Sequence, residues 1–421
     1  MIGDRCSNHL HRLRHLIVSL FGPEGLNLVK QGEEGLPTNF KHTFGVVVDC
    51  VARIFMAPWS KIVKLVGLCR PFVDGTTPSL TLASIQSIRG VAHHVFFCAP
   101  GLGRMVLPRL DAAVADSHRL HPGLKKPPRG CTPSPSLKNE TPEQGLNRLR
   151  HILNLVCRLA LIDKGKLFQI PLEAALPREI RTTWPGEEGP ETLVHWLMDA
   201  SGKVLFLIDL ATGRYIQVFF TKEEQALFNN FDEGDKATTI NHVELLSELF
   251  GIVLMGPEHA GKIIDMINDN TAAENWTERS RHRLAKVDQV LSIMGLSELL
   301  LKQTVVGSRV KTKDNFADTG TRMERGRDFR EGLAALEAKH GWVAVQVQVP
   351  DWLRQMGWDT LSKDLPSRDW YAQACSFLTW LETTHPGLVE SQCGVPSARV
   401  LSTLRSAFKD EPLPPALEVS S

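Results

Sequence analysis

The sequence predicts an α/β protein, a mixed sheet with helices on its faces. Three observations carry this. Leu193–Ser201, Val204–Asp209 and Arg214–Phe220 are apolar runs split by turn residues, with Ala211-Thr212-Gly213 as one turn, and read as antiparallel strands. Helix and strand patterns then alternate. Finally, Asp199 and Asp269 stand at or near the C-terminal tips of two of the strand patterns.

Composition sets the outer bounds. The chain has 421 residues, enough for two or three domains, and 43% hydrophobic residues, enough for a core. A formal net charge of +1 gives no overall nucleic-acid footprint, so any such footprint is local. The 8 cysteines form no C-x-x-C pair, which argues against zinc fingers and disulfide scaffolds and suits a reducing compartment. Leu16–Phe21 is too short for a signal or a membrane span. The expectation is a soluble intracellular protein, cytoplasmic or nuclear, with no membrane partner.

In chain order, Met1–Phe21 ends in an amphipathic helix pattern closed by Gly22-Pro23. Thr43–Asp49 and Ala52–Met56 read as strands. Pro58–Leu68, Leu80–His94 and Met105–Ala115 read as helices, the first opened by its proline. His118–Lys138 is rich in Pro and Ser, carries Lys125, Lys126, Arg129 and Lys138, has no acid, and reads as a solvated connector. Pro142–Ala160 is a strong amphipathic helix, and Leu172–Gly189 is a lead-in broken by Pro and Gly.

The three antiparallel strands follow. In Asn241–Gly256, Val243, Leu246, Phe250 and Val253 recur at helical spacing, with Glu244 inside the apolar run. Pro257 and Gly261 break the helix. Ile263, Ile264, Met266 and Ile267 give a buried strand, Lys262–Asp269. Thr271 with Glu274 is a capping box opening a helix at Ala272–Arg279. Val287–Leu301 is a further helix and Gln303–Val310 the fifth strand. Beyond them, Phe329–Lys339 and Trp370–Glu382 look helical, Val343–Val349 looks like a strand, and Pro412–Ser421 reads as a tail.

Each acid taken alone is an ordinary helix-edge or turn residue. Asp199, Glu244, Asp269 and a fourth in Asn315-Phe316-Ala317-Asp318 together make a set that would repel itself and hold hard cations. A pair of Mg²⁺ ions in such a site activates a water and stabilises the leaving oxygen of a phosphodiester.

The order strand-DAS, helix-E, strand-DN, N-x-A-D, with the wording EHAGK…DNTAAENW, resembles the ribonuclease H domain of retroelement reverse transcriptases. It is most similar to that of DIRS-like and related LTR-type elements. The resemblance implies a ribonuclease H-like mixed five-stranded sheet with flanking helices. It puts Asp199, Glu244, Asp269 and Asp318 on the family's catalytic, metal-binding acids. Asp199 would bridge two Mg²⁺ ions, or Mn²⁺. Glu244 and Asp269 would complete one shell and Asp318 the other. The implied substrate is an RNA–DNA hybrid, read by its A-form shape and 2′-OH groups. Ser201, Asn270, Thr271, Lys311 and Lys313 would touch phosphates, although Asn270 and Thr271 also suit a plain helix cap. Two departures stand out. Arg309-Val310-Lys311-Thr312 replaces the His-x-Pro-Gly stretch of some relatives, and bulky Lys203, Leu205 and Phe206 follow Asp199-Ala200-Ser201.

The N-terminal part resembles the region after the palm active site of a reverse transcriptase, with Gly45, Asp49, Pro58, Lys61 and Gly90 at family positions and Phe44 where the family has leucine. Neither Tyr215 nor Tyr371 begins a Tyr-x-Asp-Asp turn, and Met1-Ile2-Gly3-Asp4 resembles the segment just after it. The expectation is therefore no DNA synthesis from this chain alone, with a separate polymerase-containing chain as a partner.

The organisation expected is a partial reverse transcriptase over 1–117, a linker and connection helix over 118–190, a ribonuclease H-like domain over 191–325, and a C-terminal region over 326–421. Within the last, SRDWYAQACSFLTWLE resembles the helical start of a tyrosine recombinase, without the Arg, His and Tyr set of that enzyme. Two other readings of the acids are a catalytically inactive nucleic-acid-binding remnant and an ATPase-like or exonuclease-like relative. The latter would need a glycine-rich turn after the first strand, where only Gly202 stands.

Overall fold

The structure is a computed structural model, and it describes residues 40–43, 45–138, 140–175, 193–228, 240–269, 284–322, 326–362, 369–409, 411 and 413–414. The expectations for Met1–Phe21, Phe44, Asn270, Thr271 and the helix at 272–279 lie outside these residues, as does most of 172–189 and of the C-terminal tail.

Strands β1 (Phe40–Thr43), β2 (Val46–Asp49), β3 (Ile54–Met56) and β4 (Gln169–Pro171) form a small sheet in that order. The turn between β1 and β2 passes through Gly45 at φ 79°, where a Cβ would meet the His94 ring at 2.7 Å. The larger sheet uses β5 (Leu193–Ala200), β6 (Val204–Asp209), β7 (Arg214–Phe219), β8 (Ile263–Asn268), β9 (Thr304–Arg309) and β10 (Val345–Gln346). Their spatial order is β10-β7-β6-β5-β8-β9. The pairs β5–β6 and β6–β7 are antiparallel, while β5–β8, β8–β9 and β10–β7 are parallel. Three antiparallel strands are thus followed by two parallel ones, each reached through a helix. The sheet has six strands where the sequence predicts five. The sixth comes from Val343–Val349, of which only Val345 and Gln346 pair. Trp342 fixes its entry, donating from its indole to Leu210 O and lying where a Cβ on Gly213 would stand.

The helices are α1 (Trp59–Val73), α2 (Leu82–Phe97), α3 (Pro100–Leu120), α4 (Pro142–Leu161), α5 (Leu172–Ala175), α6 (Lys222–Phe228), α7 (Ile240–Leu254), α8 (Ala285–Leu301), α9 (Ala317–Thr321), α10 (Gly326–His340), α11 (Asp351–Ser362), α12 (Asp369–Thr384), α13 (Leu388–Cys393) and α14 (Ser397–Phe408). Among the described residues no helix is long and apolar enough to cross a membrane.

Helix α7 has no solvent face, since every residue from His242 to Leu254 is buried. Gly251 lets it settle on the sheet, where a Cβ would stand 2.9 Å from both Trp196 and Leu207. Its other sides meet α8 and α11. Helix α8 crosses α3 so closely that a Cβ on Gly101 would stand 2.2 Å from Gly295 O. One cluster of buried apolar side chains therefore runs from Val46 to Leu413 and draws on all four sequence segments.

The solvated connector expected at 118–138 is only partly so. His118–Leu120 belong to α3, and Leu124–Lys126 are exposed, but Pro133, Pro135 and Leu137 are buried. Ser134 N donates to Asp116 Oδ2 at 2.7 Å. Alongside runs a buried ionic network. Arg109 donates to Asp288 Oδ2 at 2.6 Å and to Glu140 Oε2 at 2.9 Å, and Arg148 donates to Glu140 Oε1 at 2.6 Å. Burial opposes charge on all of these groups. Even so, the carboxylates hold Arg109 above its ordinary pKa, and the arginines hold Glu140 below its own. For Asp288 burial wins and its pKa is raised. Thr141 and Gln144 then close a capping box that starts α4.

Candidate metal centre

The parallel register of β5 and β8 builds the site. Leu197 pairs with Ile267, and two residues further along each chain lie Asp199 and Asp269. The period of two puts both acids on the same side of adjacent strands at their C-terminal tips. The first turns of α7 bring Glu244 to the same point. One carboxylate oxygen from each of Asp199, Glu244 and Asp269 lies within 4.8 Å of the others. Three of the four acids singled out in the sequence therefore converge. Glu244 is 3% exposed and Asp199 8%, while Asp269 is half-buried.

The electrostatics match a site built for positive charge. Burial, helped by the charges of Asp269 and Asp318, pushes the Asp199 carboxyl up to about 6 against a pull downward from the Thr321 hydroxyl. The Thr321 hydroxyl donates to Asp199 Oδ2 and the Ala200 backbone adds a smaller pull. A buried carboxylate held against like charges binds a proton more tightly than usual, and a cation relieves the same repulsion.

The fourth acid, Asp318, lies close enough to raise the Asp199 pKa but is not one of the three converging groups. It sits on α9, which is tied to the sheet at several points. Asn315 Nδ2 donates to Met198 O at 3.0 Å, and Gln217 Nε2 donates to Gly320 O at 2.8 Å. Gly320 lies on the Phe206 ring, where a Cβ would come within 2.5 Å. Arg322 donates to Asp318 Oδ1 from Nε at 2.8 Å and from Nη2 at 2.6 Å.

The other sequence candidates divide. The Ser201 hydroxyl is engaged in the β5–β6 turn, accepting from Lys203 N and Val204 N and lying 3.3 Å from Thr321 O. Lys311 is exposed at the start of the short turn Thr312–Asp314, which contains Lys313. Lys203 is exposed beside the Asp199 tip, and Arg309 is exposed one strand over, paired with Asn268. The acids thus sit at a sheet end that also carries cations. Sequence reasoning missed Thr321 and Arg322. Their spacing of three and four from Asp318 is a signal, because on a helix it brings side chains together.

Three oxygen donors, two of them buried, can hold a metal ion. The donor set contains no thiolate or imidazole and so suits a hard cation. Comparisons with family profiles, with characterised proteins and with solved structures returned no match for this chain.

Proposed function

We propose that the chain is a ribonuclease H-type hydrolase of the RNA strand of RNA–DNA hybrids, using divalent cations at Asp199, Glu244 and Asp269, with Asp318 as the fourth acid. The observation that carries this reading is the meeting of three acids, distant in sequence, within 4.8 Å at the tips of two parallel strands. Support also comes from the strand order. Three antiparallel strands followed by two helix-linked parallel strands are what the sequence resemblance implies for a ribonuclease H-like sheet.

The cations proposed are two Mg²⁺ ions, with Mn²⁺ able to replace them. Once bound, they supply water activation and charge stabilisation at a phosphodiester. The chain's own part is to hold the carboxylates on rigid element ends and keep Asp199 ionised and oriented through the Thr321 hydroxyl. Lys203, Arg309 and Lys311 are exposed at the same end of the sheet and suit a phosphate backbone. DNA synthesis is not part of the proposal.

One observation favours a second reading. Arg322 takes up the Asp318 carboxylate, as expected if the site persists only as a nucleic-acid-binding remnant. The two readings part in an assay of the purified chain with Mg²⁺ on a labelled RNA–DNA hybrid, double-stranded RNA and duplex DNA. The proposal expects cutting of the RNA strand in the hybrid alone. Hybrid binding without cutting, in Mg²⁺ and in Mn²⁺, selects the remnant.

A further inference from the structure

We infer that β10 is an interface strand. Two copies of the chain join β10 to β10 antiparallel, across a two-fold axis at Val347, so that the sheet of one continues into the sheet of the other. The inference is independent of the function proposed above.

It begins with the run Val343-Ala344-Val345-Gln346-Val347-Gln348-Val349, which alternates valine with alanine or glutamine and carries no charge. Strand β10 lies at one edge of the larger sheet. Edge strands commonly carry a charge or a proline that discourages further pairing. The opposite edge, β9, ends on the exposed Arg309. Strand β10 has no such guard, and Val343 and Val345 are 76% and 53% exposed.

The backbone defines what this edge offers. Val345 N donates to Gly213 O at 3.1 Å and Val347 N to Tyr215 O at 2.7 Å, so the amides of these residues point toward β7. Gln346 and Gln348 alternate with them and turn their N–H and C=O groups the other way, and both residues are exposed. The open stretch is bounded on each side. The N–H of Ala344 is taken by Glu337 Oε1 at 2.7 Å. Pro350 has no N–H to give.

These limits select a second copy over a foreign strand. With the copies antiparallel and Val347 on the axis, Gln346 N–H reaches the partner's Gln348 O, and Gln348 N–H reaches the partner's Gln346 O. Both bonds recur by symmetry. Ala344 then falls opposite the partner's Pro350. The two positions without a free donor meet each other, and the ladder ends with no amide stranded. Val345 faces the partner's Val349, and Val347 faces itself. A two-fold pairing sets like side chains against like, and a stretch without charge bears that without repulsion. The contact is isologous and closes at two copies.

The test is sedimentation velocity of the full-length chain over a range of concentrations. The wild type is expected to pass reversibly from monomer to dimer as concentration rises. Gln346→Lys/Gln348→Lys sets lysine against lysine in this register and should stay monomeric. Gln346→Lys/Gln348→Glu sets lysine against glutamate and should dimerise at least as well as the wild type. A wild type that stays monomeric or grows beyond the dimer would overturn the inference, and so would dimers that persist in the double-lysine variant. Loss of the dimer in both variants would overturn the antiparallel register. Should the charged variants fail to fold, Gln346→Pro stands in. It removes an N–H that β7 does not use, so the strand is kept and its outward pairing is blocked. Dimerisation of Gln346→Pro equal to that of the wild type would sink the inference.

Discussion

Replacing Asp199 with Asn is expected to stabilise the cation-free protein at neutral pH. Burial and the charges of Asp269 and Asp318 raise the Asp199 pKa from 3.8 to about 6. A folded-state pKa above the unfolded one means that the folded chain prefers the protonated form. The favourable contribution is complete below 3.8 and lost as pH rises through about 6. At about 1.36 kcal/mol per pH unit, the gap amounts to a ceiling of about 3 kcal/mol at pH 7.5. Asn keeps an acceptor for Thr321 but lacks the charge, which makes that bond weaker and the net gain roughly 1–3 kcal/mol. The assay is urea unfolding in EDTA for both proteins at pH 5 and pH 7.5. The variant's advantage should grow by about 1.4 kcal/mol between the two pH values. Added Mg²⁺ should then stabilise the wild type through binding to the folded state and leave the variant unchanged. A variant less stable than the wild type at pH 7.5, or an advantage independent of pH, would refute the reasoning.

Other changes test the frame around the site. Thr321→Val removes the hydroxyl that lowers the Asp199 pKa, so that pKa rises and Mn²⁺ affinity falls most between pH 6 and 7, as pH-resolved titrations will read. Arg109→Met leaves Asp288 buried without its arginine, and Glu140 with Arg148 alone, and should cost about 3–5 kcal/mol, seen as a lower urea midpoint. Gly101→Ala forces a Cβ to within 2.2 Å of Gly295 O, so α3 and α8 must part. A loss of about 1–3 kcal/mol is expected for such overpacking, with a shifted thermal midpoint as the readout.

The acids on strands were legible because each ends an apolar run, and the parallel register then sets Asp199 beside Asp269. Glu244 was legible as an acid inside an apolar stripe. That α7 is buried on every side was not, because this depends on α8 and α11, which reach it from distant parts of the chain. The segment around Pro133, Pro135 and Leu137 reads as a connector by composition. Its burial follows from Asp116 and from the Arg109 network, and no local pattern encodes them. The crossing of Gly101 with Gly295 joins segments that the sequence divides. Strand β10 is shorter than the alternation of Val343–Val349 suggests, with only Val345 and Gln346 paired to β7. Arg322 shows a different gap. Its spacing from Asp318 was readable, but its effect appears only when α9 is docked against the acids.

The most direct measurement is RNA-strand cleavage of a labelled RNA–DNA hybrid by the purified full-length chain in Mg²⁺, beside its Asp269→Asn variant. Asp269 is half-buried and lies just past the end of β8, so its replacement leaves the core intact. Cutting by the wild type and none by the variant, with both folded and both binding the hybrid, is the result the account predicts. Equal cutting by the two proteins, or none by either in Mg²⁺ and in Mn²⁺, would contradict it.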